Sequence, residues 1–232
     1  MNTQLDSQPR PPTAFTLIEL LVVIAIIGVL AGLMLPVGGR IKQTAQRNKA
    51  RAELEQIAFA IETYKEKLGH YPPDAPNSPN RPRINPLFFE LLGTKLVGGT
   101  YETLDGSGRI PTNNVASTFG TGVNGFINCT RAADADDAPA AQPFLRQLKP
   151  TQYGGITPGS DICVLTCSIR WPDNHAFQPI PAQKGLNPWR YVVTNPTNNP
   201  GAFDLWVDIL VGGKTNRISN WSPQPQIVNN VY

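Results

Sequence analysis

The chain has little of what catalysis and metal binding draw on. Among its 232 residues are two histidines and three cysteines, and its net charge is only +3. No Gly-rich phosphate loop, no Cys-x-x-Cys pair and no His-rich metal motif occurs. So small a charge gives no ground to expect nucleic acid as a partner. The one nucleophile-and-base pairing that the composition allows is Cys167 with His175. We read these instead as a buried strand cysteine and a histidine in the Pro-containing loop Trp171-Pro172-Asp173-Asn174-His175. His70 falls at a predicted helix stop. The chain is therefore read as a non-enzyme. Asp134, Asp136 and Asp137 form an acidic cluster without the turn glycine or distal glutamate of an EF-hand, and are read as a solvated loop.

Glycine and proline are abundant, at 20 and 23 residues, which predicts a loop-rich globular part. The longest apolar run lies near the N-terminus, from Phe15 to Leu35, broken by one acid, Glu19. About 20 apolar residues can cross a bilayer as a helix. A carboxylate inside hydrocarbon costs about 2.5–3.5 kcal/mol on insertion scales, so Glu19 is expected to have a cationic partner. A secretory signal peptide would have a shorter apolar core and a small-x-small cleavage site after it. Here a charged amphipathic helix follows.

The run predicts one long helix over residues 15–68, loosened at Gly28, Gly32 and Pro36, since proline in a helix interior removes a hydrogen bond. Gly28 and Gly32 also have the spacing for close helix contact, which a glycine pair of this kind can equally show with no packing role. Past Pro36, Ala50, Leu54, Ile57, Ile61, Tyr64 and Leu68 form one apolar stripe, expected to bury against a β-sheet. Lys49/Glu53 and Arg51/Glu55 have supportive i,i+4 spacing. Gly69 and Pro72-Pro73 end the helix. Residues 74–160 are hard to read, with a helical turn or two near Leu87–Leu92. Strands are predicted over 161–171, over Trp189–Val193 and over Phe203–Val211, with a turn at Gly212-Gly213. Cys163 and Cys167 lie about 13 Å apart along such a strand, too far to bridge. Either could pair with Cys129, or all three could stay reduced.

Ala14-Phe15-Thr16-Leu17-Ile18-Glu19-Leu20 resembles the cleavage and methylation motif of type IV pilins and type II secretion pseudopilins. Two further stretches are similar to major, G-type pseudopilins. One is Ala60-Ile61-Glu62-Thr63-Tyr64-Lys65 leading to Gly69-His70-Tyr71-Pro72. The other is Asn187-Pro188-Trp189, then Phe203-Asp204-Leu205-Trp206, then Ile218-Ser219-Asn220-Trp221.

The resemblance implies an α+β, pilin-like fold: a long N-terminal helix packed on a small antiparallel sheet, with a loop-rich insert at 74–160. It implies a leader at 1–14, a transmembrane assembly segment at 15–36, an amphipathic half-helix at 37–69 and a globular domain at 70–232. A prepilin peptidase and methylase would cut between Ala14 and Phe15, where the family prefers Gly to Ala14, and would methylate the Phe15 amine. Glu19 would neutralise that amine during assembly. The further partners implied are other copies and other pseudopilins in a helical filament, an inner-membrane assembly platform and the lipid bilayer. The location implied is the bacterial inner membrane, single-pass, with the N-terminus cytoplasmic and the globular domain periplasmic. Arg40, Lys42, Arg47, Lys49 and Arg51 follow the span, and the positive-inside rule alone would hold them in the cytoplasm.

Major pseudopilins also carry a calcium loop. Here the equivalent stretch, Asp208 to Ile218, has one carboxylate and adds Lys214 and Arg217, so no calcium site, or a weak one built from backbone carbonyls, and no other cofactor is expected. Two alternatives share the architecture: a type IV pilus subunit for adhesion, motility or DNA uptake, and a single-span anchored binding domain that never polymerises.

Overall fold

The computed structural model describes residues 15–34, 37–78, 81–131 and 140–229, with no side-chain description at 33, 34, 37 and 38. Ala14, Pro36 and the Asp134 to Asp137 cluster lie outside the described residues. The chain divides into two compact units, Met1–Lys42 and Gln43–Tyr232.

The first unit contains α1, Leu17–Met34. Straight-chain and β-branched apolar residues fill every face of it. A helix apolar all round needs an apolar partner on all sides. Its side chains from Leu17 to Leu30 are exposed within this chain. At 1.5 Å per residue its 18 residues extend about 27 Å. Among the described residues no helix is long and apolar enough to cross a membrane.

The second helix, α2, spans Val37–Leu68, and from Gln43 onward it belongs to the second unit. The predicted stripe faces inward: Ala50, Leu54, Ile57, Ile61 and Tyr64 are buried and Leu68 packs on the same core. Burying a Leu or Ile side chain contributes about 1.5–3 kcal/mol. The expected i,i+4 charge pairs are not what fixes this helix. Glu53 is buried instead, accepting the Ser168 backbone N–H at 3.0 Å and the Ser168 hydroxyl. Arg51 donates to the carbonyls of Ser219 at 2.7 Å and Ser222 at 2.6 Å. Tertiary partners that the sequence does not advertise, donors for Glu53 and acceptors for Arg51, take the place of the local pairs. Gly69, at φ +83°, takes the left-handed conformation that ends the helix, its N–H bonding Lys65 O at 2.8 Å.

The segment expected to be a loop-rich insert is ordered in part. It forms α3 (Leu87–Leu92), β1 (Thr94–Val97), β2 (Thr100–Thr103), β3 (Arg109–Pro111), α4 (Thr112–Phe119) and β4 (Cys129–Arg131). These strands make a sheet in the order β3-β2-β1-β4, antiparallel except for the parallel β1–β4 pair. Gly98 and Gly99, both at positive φ, form the two-residue turn between β1 and β2. All six residues of α3 are buried, and its Phe89 stacks on Phe126 at 4.8 Å.

A two-stranded ribbon follows, β5 (Tyr153–Gly155) against β6 (Cys163–Leu165). The strand predicted over 161–171 is thus three residues long. Beyond it the Cys167 N–H bonds Asn187 O and the chain leaves the ribbon. The C-terminal sheet is fully antiparallel in the order β10-β9-β8-β7, from β7 (Arg190–Val192), β8 (Asp204–Val211), β9 (Lys214–Ser219) and β10 (Ser222–Ile227). Val211 pairs with Lys214 across the Gly212-Gly213 turn. Leu205, Val207, Ile209, Val211 and Ile218 join the α2 stripe in one core. The fold is α+β, a long helix packed against antiparallel sheets as expected, with three sheets among the described residues in place of the one small sheet.

Candidate functional site

The N-terminal end of α1 is built as a cap. Thr16 precedes the first helical residue, and Leu20 N–H bonds Thr16 O at 3.3 Å. The Glu19 carboxylate reaches back. Its Oε2 accepts the Thr16 N–H at 2.9 Å and the Thr16 hydroxyl at 2.7 Å. The Thr16 Oγ1 accepts the Glu19 N–H at 3.3 Å. This is a capping box, Thr at the N-cap and Glu at the third helical position, which satisfies two orphan N–H donors reciprocally. Sequence reasoning read Glu19 only as a charge in need of a cation. The Thr-x-x-Glu spacing ahead of an apolar run was the available signal of its second role.

Phe15 is 79% exposed and stands next to the cap. Of the expected cleavage and assembly residues, Phe15 thus adjoins the Thr16 that bonds Glu19, and Ala14 lies outside the described residues. Gly28 and Gly32 lie on α1, and a Cβ at either would meet nothing within 4 Å, so neither packs against this chain.

The other candidate groups have structural duties. Cys129, Cys163 and Cys167 are free thiols, not bridged as the disulfide reading expected. They lie in different surroundings. Cys129 is in β4 of the first sheet with its Sγ toward Thr130 O, Cys163 is in β6 with its Sγ 3.9 Å from Ser107 O, and Cys167 accepts the Ile169 N–H at 3.4 Å. Burial pushes the Cys163 thiol up to about 11 and raises Cys167 further. His175 packs edge-on against Trp171, and its Nδ1 lies by the Phe177 backbone. His70 sits edge-on to Tyr64.

The stretch from Asp208 to Ile218 does not fit calcium. Asp208, fully buried, is held in a fork by Arg217, Nε to Oδ1 at 2.8 Å and NH2 to Oδ2 at 3.0 Å. The buried Arg190 guanidinium lies 3.8 Å from Oδ2. Calcium takes six to eight oxygen ligands. Here the one carboxylate already faces two guanidinium groups, and a dication beside them would be repelled.

In chain order, a capped apolar helix is followed by an α+β unit. The prokaryotic N-terminal methylation motif matches the chain over residues 13–35. The chain is also similar to the type II secretion system core protein G of Escherichia coli (strain K12), 43% identical over 58 residues. That match covers 25% of this chain and 40% of the relative, so the chain spans less than half the length of the curated relative it matches. No solved structure matches the chain. The Cys, His and Asp groups described above have structural partners.

Proposed function

We propose that the chain is a pseudopilin, a structural filament subunit of a type II secretion-like machine, processed before Phe15 and assembled through α1. The observation that carries this reading is the Thr16–Glu19 cap at the head of an exposed helix that is apolar from Leu20 onward. Hydrolysis of the Ala14–Phe15 bond turns the Phe15 nitrogen into an amine one residue from the N–H that Glu19 already accepts at 2.9 Å. An ammonium at a helix N-terminus opposes the helix dipole, and a carboxylate beside it offsets both charges. Paired in this way, Glu19 enters hydrocarbon at lower cost, with its own amine or with that of a neighbouring subunit. The apolar side chains of α1 are then covered first by lipid of the inner membrane and afterwards by the helices of neighbouring copies. The likeness to core protein G supports a secretion filament over a surface pilus.

The test is the intact mass and N-terminal peptide of the protein recovered from its native membrane. A chain beginning at N-methylated Phe15 is expected. A chain still carrying residues 1–14 would replace this reading with that of an anchored, non-polymerising domain. Export of folded cargo, lost on deletion of the gene while surface pili persist, separates the secretion role from the pilus role.

A further inference from the structure

Assembly through α1 gives no role to the basic stretch that follows it. From Leu20 to Ala52 the sequence has no acidic residue, and Arg40, Lys42, Arg47, Lys49 and Arg51 all fall in that interval. The positive-inside rule would hold them in the cytoplasm, whereas the resemblance carries them outward. A cluster kept against the usual charge bias calls for an anion on the outer side. The structure shows which of these cations its own fold uses. Arg51 donates to two carbonyls of the C-terminal sheet. Arg47 is half-buried, and its Nε donates to Asn216 Oδ1 at 3.0 Å. Arg40, Lys42 and Lys49 are exposed on α2. The β8–β9 hairpin adds one more cation. Its Gly212 lies against the helix, where a Cβ would stand 2.9 Å from the Gln43 side chain, and Lys214 follows, exposed. The buried acids of these elements, Glu53 and Asp208, are taken by Ser168 and Arg217. None of Arg40, Lys42, Arg47, Lys49 and Lys214 enters an ion pair among the described residues.

We propose that these cations dock on the anionic phosphates of lipid headgroups, in the leaflet through which α1 leaves the membrane. The inference rests on the filament reading, which places α1 in that membrane before assembly. Basic clusters beside a membrane span are attracted to anionic lipid, each Lys or Arg adding to the hold. The placement of the charges favours lipid over an acidic protein surface. At about 100° per residue, Arg40 and Arg47 fall on one side of α2 and Lys42 and Lys49 on the other. The cations therefore ring the helix rather than line one face. A protein surface meets one side of a helix, whereas headgroups surround a helix that emerges from a bilayer. From Arg40 to Lys49 α2 rises about 14 Å. Long Lys and Arg stems reach back along such a rise, and the field of an anionic surface extends about 8 Å at physiological salt. Joining a filament then means giving up these contacts, so anionic lipid holds the subunit in its membrane-bound pool.

The experiment uses the full chain reconstituted in vesicles of phosphatidylcholine mixed with phosphatidylglycerol, with a trace of one or the other lipid carrying a photoreactive headgroup. Adducts are located by peptide mass. The phosphatidylglycerol probe is expected to label the Arg40 to Lys49 stretch and the hairpin turn at Lys214 in clear excess over the phosphatidylcholine probe, and molar salt to remove the excess. The variant Lys42→Gln, Lys49→Gln, Lys214→Gln changes only exposed side chains. It is expected to lower the phosphatidylglycerol adducts by about tenfold or more and to leave the phosphatidylcholine adducts unchanged. Equal labelling by the two probes, or no effect of the variant, would mean that the stretch is merely tethered near the bilayer. That result overturns this inference and leaves the filament reading standing. Loss of the excess on adding soluble glycerol phosphate would reassign the cations to a free phosphate and overturn the lipid contact as well. No adduct from either probe, with the protein recovered free of the vesicles, would mean that α1 does not insert and would overturn both readings.

Discussion

Glu90 shows how a single residue can hold several elements together. It is fully buried on α3, and its carboxylate accepts the Tyr64 hydroxyl at 2.9 Å, the Ile127 N–H at 2.9 Å and the Asn128 N–H at 3.0 Å. It thereby ties α2, α3 and the entry to β4. Burial raises its pKa above the ordinary 4.5, although the backbone and Tyr64 hydrogen bonds pull the other way. A carboxyl raised in this way holds its proton more tightly folded than unfolded. Its contribution is therefore lost as pH rises from about 4.5 through the raised native value. Glu90→Gln turns an amide NH2 toward backbone donors and leaves one of them unmet, at about 1–3 kcal/mol. Urea melts across pH should show a lower midpoint for the variant. The wild type should lose stability more steeply above pH 4.5, and equal slopes would refute the assignment. The cysteines give a second test at this scale. Burial raises the Cys163 and Cys167 thiols, whereas Cys129 is only half-buried. The thiolate is the nucleophile, so iodoacetamide on the native protein should alkylate Cys129 first. Early labelling of Cys167 would mean that the segment after β6 opens readily.

Among the elements, those with a strong period were legible and those made by pairing were not. The α2 stripe from Ala50 to Leu68 and the alternation from Phe203 to Val211 both follow from spacing, because each buries one face against the other. The first sheet was missed because its strands are three or four residues long and rich in Thr, Lys and Arg. Only the Gly98-Gly99 turn between two short β-prone runs marked it. Buried charge was also invisible to pattern reading. Glu53 reads as half of a local pair with Lys49, and Asp208 as the one carboxylate of a loop, until their partners on other elements come into contact. The β8–β9 hairpin depends on one such group. Arg217 of β9 forks onto Asp208 of β8, side by side in the register. Arg217→Ala removes both close charge-assisted hydrogen bonds to the buried Asp208 and leaves it facing Arg190 at 3.8 Å, so the change should cost about 1.5–3 kcal/mol in a denaturant melt. The same arrangement predicts that a chelator leaves the melting temperature unchanged. A drop of several degrees with EDTA, reversed by calcium, would mean that the loop holds a metal after all.

For the whole molecule the open question is which of two roles Glu19 serves. The capping box stabilises the start of α1 within one chain, and the carboxylate can also neutralise an amine during assembly. The cleavage motif around Phe15 was readable because it is a local pattern, whereas the cap became clear only from the three hydrogen bonds between Thr16 and Glu19. Substitution separates the roles. Thr16→Ala removes the cap's hydroxyl, a loss of about 1 kcal/mol of helix stability, and keeps the charge. Glu19→Gln keeps a side chain able to bond the Thr16 N–H and removes the charge. If neutralisation drives assembly, membranes carrying Thr16→Ala should yield processed subunits in filaments at near wild-type level. Those carrying Glu19→Gln should accumulate processed but unassembled chains, since an unpaired ammonium then has to enter hydrocarbon. If Thr16→Ala is as defective as Glu19→Gln, the helix start itself limits assembly and the carboxylate acts through its cap. Assembly of both variants at full yield would remove Glu19 from the mechanism and leave the apolar surface of α1 as the sole driving force for joining the filament.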